Sequence, residues 1–219
     1  MQLETEGTTL HVKTDNYHAK LQGIARDEFP IIPAIERTKE SLQIASGILK
    51  NAITEIITAA QISEIRPEIS GILFDAQQSQ IKIVATDSFR LGEKTIHHTQ
   101  FSTSFEKGFR VIIPLKTIQE IIRIFPDDKE LSFFVDPHQI LVKTNDIELI
   151  SRLIDGQYPD YEQIVPKSLE TQVILPKDHF VNAVKLVSTF SGKVNDIKMR
   201  LHEAGNALEI FSTHQQLGE

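Results

Sequence analysis

Apolar residues along this chain recur with two periods. Leu10–Thr14 and Tyr17–Gln22 alternate at period two around Asp15-Asn16, which predicts a β-hairpin. Phe29-Pro30-Ile31-Ile32-Pro33 ends that pattern, because proline cannot donate to a strand ladder. From Gly47 to Gln61 the period changes: Ile48, Leu49, Ala52, Ile53, Ile56, Ile57 and Ala60 fall on one helical face, with Ser46 placed as N-cap. Strands are predicted at Gly71–Asp75 and Ile81–Thr86 around a polar turn, and again at Arg110–Ile113. A helix opened by Pro114 turns Leu115, Ile118, Ile121, Ile122 and Phe125 inward. Pro126–Lys129 reads as a turn, followed by strands at Leu131–Val135, Ile140–Lys143 and Leu149–Ile154. A third strand-then-helix unit runs from Val173-Ile174-Leu175-Pro176 through Phe180, Val181, Ala183, Val184, Leu186 and Val187. Met199–Leu201 and Ala207–Ser212 supply its following strand pair.

These elements repeat. Leu10–Asn16 resembles Ile140–Asp146, Lys50–Ile53 resembles Val181–Val184, and Ile81–Thr86 resembles Leu208–Thr213, each pair about 130 residues apart. Ile113-Pro114 and Leu175-Pro176 each precede a helix, so the module contains similar halves. Any one match is what amphipathic strand–helix units produce by themselves; several in one order at nearly one offset favour true repetition. The expected division is residues 1–34 as the C-terminal part of a first domain, 35–166 as a complete second domain, and 167–219 as the N-terminal part of a third. His214–Glu219 fall where a module half should continue, so the reading is a fragment of a longer chain.

Composition narrows the chemistry. The 219 residues are 40% hydrophobic and 24% charged, an ordinary globular mixture, and the fold class is α+β. With no cysteine there is no disulfide framework, thiolate metal site or cysteine nucleophile. The N-terminal residues lack the basic and apolar regions of a signal peptide, and no apolar run is long enough for a membrane span. The expected location is cytoplasmic. His97-His98 with Asp87 and His138 lack metal-ligand spacing, and no phosphate-loop, dinucleotide or nucleophile-elbow motif occurs. No cofactor, metal or catalytic residue is expected. A net charge of −7 argues against holding nucleic acid by bulk charge, since phosphate neutralisation needs Lys and Arg.

Five strings occur in order: Phe29-Pro30, Gly71–Phe74, Val84-Ala85-Thr86-Asp87-Ser88-Phe89-Arg90-Leu91, Val111–Pro114 and Leu153-Ile154-Asp155-Gly156-Gln157-Tyr158-Pro159-Asp160-Tyr161. Together they resemble the bacterial DNA polymerase III beta subunit, the sliding-clamp family. The resemblance implies repeated modules, helices inside and antiparallel sheets outside, in a head-to-tail homodimeric ring. It implies topological, sequence-independent enclosure of duplex DNA without catalysis, which reconciles the acidic charge with a DNA partner. Replicative polymerase, clamp loader and repair proteins would be tethered through short peptides rich in Gln and apolar residues. Their groove, between the second and third domains, would comprise Ile69, Thr86, Ser88, Phe89, Arg90, Leu91, Pro159, Gln163 and Ile164. Leu91 and Ile164 also suit plain interface packing. DNA-facing positions would be Lys50, Arg66, Lys116, Arg123, Lys177 and Lys185, for each of which a solvated helix or loop surface is the bland alternative. Phe190 would fall near the protomer interface or serve as a core aromatic. The competing class is a repeat-built interaction scaffold that never encircles DNA.

Overall fold

The computed structural model describes residues 1–28, 40–191, 196–202 and 207–212. Phe29-Pro30-Ile31-Ile32-Pro33, the expected boundary at 34/35, Thr213 and His214–Glu219 lie outside the described residues. By internal contact the chain separates into two units, Met1–Asp160 and Tyr161–Glu219.

The first unit opens with an antiparallel sheet of β1 (Gln2–Glu6), β2 (Thr9–Lys13) and β3 (His18–Gln22). The β2–β3 hairpin is the expected one. β1 was not foreseen: Gln-Leu-Glu-Thr-Glu carries one apolar residue and is exposed throughout, so it has no alternation to read. Then come β4 (Leu42–Ala45), α1 (Ser46–Ile56), β5 (Gly71–Ala76), β6 (Gln80–Thr86), β7 (Leu91–His97), β8 (Phe101–Thr103) and β9 (Phe109–Pro114). α2 (Leu115–Ile124), β10 (Glu130–Val135), β11 (Gln139–Lys143) and β12 (Glu148–Arg152) complete the unit. All pairings are antiparallel, in a five-stranded sheet β12-β11-β10-β4-β8 and a four-stranded sheet β7-β6-β5-β9.

Two helices and both sheets share one core. α1 lies against β6 and β7, α2 lies against β5 and β9, and the helices touch each other. Leu49 and Ile53 of α1 and Ile118 and Ile121 of α2 are buried beside Phe74, Ile83 and Phe133 of the strands. Phe74 of β5 stacks on Phe133 of β10 with ring centroids 5.5 Å apart, joining the two sheets through aromatic contact. Gly92 in β7 lets that strand approach α1, since a Cβ there would stand 3.0 Å from the Ile56 Cβ.

Helix starts differ from expectation in an instructive way. Ser46 is the first helical residue, not a capping side chain, and its buried hydroxyl has no partner among the described residues. The backbone amides of Ser46 and Gly47 donate instead to the carbonyls of Lys129 (2.8 Å) and Asp127 (3.1 Å), so the Pro126–Lys129 turn does the capping. α1 ends at Ile56, followed by a single 3-10 turn at Ile57–Ala59 rather than continuing to Gln61. α2 carries Leu115, Ile118 and Ile121 inward as predicted, with Phe125 buried just past its end and Ile122 half-buried. His97 ends β7 while His98 starts a 3-10 turn, so the two histidines do not share a strand.

The second unit contains a 3-10 turn at Tyr161–Gln163, α3 (Lys177–Ser188) and the antiparallel pair β13 (Lys198–Leu201) and β14 (Leu208–Phe211), with α3 against β14. Val173–Leu175 does not form the expected strand: among the described residues no ladder pairs with it, and Ile174 is 88% exposed. The remaining matched segments fall on like elements. Lys50–Ile53 and Val181–Val184 are helical, and the β2–β3 and β11–β12 turns close identically. Thr14 and Thr144 donate their amides to Tyr17 and Ile147, at 2.8 and 2.9 Å. Each threonine hydroxyl accepts the amide of the same partner.

Candidate partner-binding surface

The segment between β6 and β7 is a four-residue turn built almost entirely by its own polar groups. Thr86 pairs with Leu91 as the last step of the ladder. The Asp87 carboxylate reaches forward: one oxygen accepts the amides of Phe89 (2.9 Å) and Arg90 (2.7 Å), and the other accepts Arg90 Nε (3.0 Å) and Nη2 (2.8 Å). This is the Asx-turn for which aspartate is suited. Beneath it the Thr86 hydroxyl donates to the Arg90 carbonyl (2.7 Å) and accepts the Ser88 amide (3.1 Å). Ser88 adopts φ 74°, a left-handed conformation uncommon outside glycine.

The Asp87 side chain is only 5% exposed. Burial alone would raise its pKa, but the Arg90 amide and guanidinium and the Phe89 amide outweigh that and hold it below the usual carboxylate range. The outcome is a rigid tip presenting Phe89, 96% exposed, beside Leu91, 42% exposed. Phe89 is thus a large exposed apolar side chain on a well-bonded turn.

Two other segments of the first unit border this turn. The loop after α1 leads into a 3-10 turn, Pro67–Ile69, whose Ile69 is buried at 4% exposure. Arg66 at its start donates through Nη1 to the Ser88 hydroxyl (3.1 Å) and through Nε to Glu68 (3.0 Å). Glu68 is held below its ordinary pKa by its own backbone amide and by Arg66. The Ile154–Asp160 stretch also returns to the same region: the Ile154 amide donates to the Ile112 carbonyl (2.9 Å), and Gly156 passes beside Glu68. The Tyr158 hydroxyl donates to the Val84 carbonyl of β6 (3.3 Å), and Pro159, next in the chain, is half-buried. Burial pushes the Tyr158 pKa up to about 12, against a smaller lowering from the Thr86 backbone.

Ile69, Thr86, Ser88, Phe89, Arg90, Leu91 and Pro159 are therefore brought to one region of the first unit. Ile69 and Thr86 are buried and support it from beneath; Phe89 and Leu91 form its surface. Gln163 and Ile164 belong to the second unit, where both are exposed. Asp87, Arg66 and Tyr158 were not assigned to this surface from the sequence. The signal for Asp87 was present in Asp-x-x-Arg, the spacing of an Asx-turn closed by its own ion pair.

The expected DNA-facing cations divide. Lys50 is 17% exposed and donates to the Phe125 carbonyl (2.9 Å) and to Asp127, tying α1 to the end of α2. Arg66 is engaged as above. Both are thus bound to carboxylates of their own chain, because each is within reach of a turn rich in acceptors. Arg123 pairs with Glu120 one helical turn away (2.8 Å), which raises its pKa further. Lys116 on α2 is exposed without a partner among the described residues, and Lys177 and Lys185 lie exposed on α3. Phe190 is half-buried just beyond α3. Among the described residues no group of three or more His, Asp or Glu side chains could hold a metal ion, and no helix is long and apolar enough to cross a membrane.

Comparison with known proteins follows the same lines. Residues 43–160 match the model of the DNA polymerase III beta subunit central domain. The beta sliding clamp of Bacillus subtilis is 29% identical over 211 residues, 95% of this chain and 54% of that protein. The Staphylococcus aureus clamp is 28% identical over 199 residues, 90% of this chain and 52% of the relative. This chain therefore spans about half the length of these relatives. A crystal structure of the B. subtilis clamp superposes with a TM-score of 0.85 at 26% identity, covering 99% of this chain and 57% of that one. The Helicobacter pylori beta clamp bound to a DNA ligase peptide gives 0.75 at 31% identity, covering 86% and 52%. With the central-domain match over more than half of its residues, and with an α+β fold of antiparallel sheets, the chain belongs to the DNA polymerase III beta subunit family, the bacterial sliding clamps.

Proposed function

We propose that this chain is the middle of a DNA sliding clamp, a non-catalytic replication factor of the cytoplasm that encircles duplex DNA and tethers partners by short peptides. In this reading residues 1–34 complete a first domain, 35–166 form the second and 167–219 begin the third, with two copies of the full-length protein closing a ring. Phe190 is assigned to the protomer interface on the family pattern. Replicative polymerase, clamp loader and repair proteins are the proposed partners.

The observation that carries the proposal is the pre-ordered Thr86–Leu91 turn presenting Phe89 and Leu91 between Arg66–Ile69 and Tyr158-Pro159. A site that is already ordered loses little conformational entropy when a flexible peptide docks. On the family pattern alone, Gln163 and Ile164 are added to the peptide contacts. The DNA ligase peptide in the H. pylori complex is the natural probe.

Lys116 is the proposed DNA-facing residue of α2, with Arg123 beside it, and Lys177 and Lys185 on α3. The decisive experiment loads the full-length protein onto closed circular DNA and then linearises it. Retention on circles with release from ends supports enclosure; equal retention on both, or on neither, overturns it and leaves an interaction scaffold. Titration of the ligase peptide tests the docking surface separately: Leu91→Ala and Arg90→Ala are expected to weaken binding, and unchanged affinity in both refutes the assignment.

A further inference from the structure

We infer that Arg66 is a positioning residue for the partner surface, latching the Phe89-bearing turn through Ser88. This rests on the docking reading above and names a control element within it. The latch has two halves from distant parts of the chain. Arg66 leaves the loop after α1 with its backbone amide held by the Ser63 hydroxyl (3.1 Å), and Ser63 is in turn fixed by Ser70, whose hydroxyl accepts the Ser63 amide (2.8 Å) and donates to its carbonyl (2.9 Å). Glu68 holds Arg66 Nε at 3.0 Å and orients the guanidinium plane. The remaining edge of that plane donates to Ser88 Oγ at 3.1 Å.

Ser88 is the residue at which the turn is conformationally costly. Its φ of 74° would suit glycine better, yet a hydroxyl stands there, and the left-handed backbone carries it to Arg66. A residue that is locally disfavoured but makes a long-range bond is explained by that bond. Its consequence falls on the next residue: the Ser88 tether adds a bond from a separate loop to those by which Asp87 and Thr86 hold the backbone on which Phe89 is presented. The guanidinium also has donors beyond the two in use and is 45% exposed, so the latch is open to the surface on which a peptide would lie.

The latch makes opposite predictions from backbone preference alone. Ser88→Gly relieves the left-handed backbone but deletes the acceptor; Ser88→Asn keeps an acceptor and tolerates the same φ. With the ligase peptide as probe and the full-length protein as receptor, Ser88→Gly and Arg66→Ala are each expected to weaken binding about fivefold, the value of one net hydrogen bond. Ser88→Asn should stay within about twofold of the parent, and the double variant Ser88→Gly/Arg66→Ala no weaker than either single one. Amide hydrogen exchange without peptide gives a second readout: both single variants should speed exchange at Phe89 and Arg90.

Parental affinity and exchange in Ser88→Gly, or fully additive losses in the double variant, overturn the latch. Leu91→Ala separates the two levels. If it leaves binding unchanged, the docking reading falls, and the exchange rates still decide whether Arg66 restrains the turn. If it weakens binding while Ser88→Gly does not, the docking reading stands and the latch falls.

Discussion

Asp87→Ala is the sharpest probe of the turn, because one carboxylate there accepts four hydrogen bonds. Two come from the backbone amides of Phe89 and Arg90 at 2.9 and 2.7 Å, and two from the Arg90 guanidinium at 3.0 and 2.8 Å. Their worth is not the sum of four. The Arg90 side chain is 64% exposed, so its ion pair is screened by solvent and contributes at most about 1 kcal/mol. The two amides lie at an exposed turn where water can replace the carboxylate, so together they add about 1–1.5 kcal/mol rather than the full cost of buried unsatisfied donors. Asp87→Ala is therefore expected to cost about 2 kcal/mol. Asp87→Asn, which keeps the oxygen facing both amides, should cost about 1 kcal/mol. Urea unfolding followed by circular dichroism measures both.

The pH dependence has a definite sign. The folded-state pKa of Asp87 lies below its unfolded value, so its stabilisation is present above the ordinary carboxylate pKa of about 4 and is lost as pH falls through the lower folded value. The parent should therefore lose stability more steeply than Asp87→Asn in the window below about pH 4. Equal stability of Asp87→Ala and parent at pH 7, within about 0.5 kcal/mol, would refute the account of what orders the turn.

Three further variants test separate parts of the structure. Gly92→Ala places a Cβ 3.0 Å from the Ile56 Cβ and 3.3 Å from its Cα, and should destabilise by about 1–3 kcal/mol in the same urea assay. Lys50→Ala removes the tie from α1 to the Phe125 carbonyl and Asp127; it should lower stability by about 1–2 kcal/mol. In the full-length protein it should leave retention on circular DNA unchanged, and a retention defect at parental stability would restore Lys50 to the DNA-facing set. Lys116→Glu with Arg123→Glu places new negative charge on the exposed stripe of α2, and should reduce loading of the full-length protein on circular DNA without changing peptide affinity; a loss of peptide binding would mean the two surfaces are not separate.

How much of this was readable beforehand follows from burial. β5, β6, β9, β10, β11 and both core helices were legible because they contribute Phe74, Ile83, Ile113, Phe133, Val142, Leu49 and Ile121 to one core, and burial imposes the periodicity that a sequence displays. β1, β4, β7 and β8 were not, since they are short or carry Glu, Lys, Thr and Gln on their outer faces; what makes them strands is pairing with neighbours, such as β4 with β10 and β8. Capping went astray for the same reason. Ser46 has a capping side chain but sits one position inside the helix, and its own amide and that of Gly47 are taken by a turn some eighty residues away in the chain. The candidate site was legible as a string of residues, Thr86 to Leu91, while the contribution of Arg66 was not, because a hydrogen bond between separate loops leaves no local pattern.

The same distinction changes what the cations mean. Six Lys and Arg residues read alike as possible phosphate contacts, yet Lys50, Arg66 and Arg123 each have a carboxylate partner within the chain. A phosphate would have to displace that carboxylate, so each contributes less than a free cation to counterion release. With a net charge of −7 as well, the chain has no excess of cations with which to grip phosphate by charge. Enclosure requires little grip, and low phosphate affinity lets a closed ring move along the duplex. If the proposed enclosure holds, the acidic composition and the internally paired cations are two aspects of one requirement, a surface that tolerates DNA without holding it, and the proposed partner binding falls instead to the hydrogen-bonded turn that carries Phe89 and Leu91.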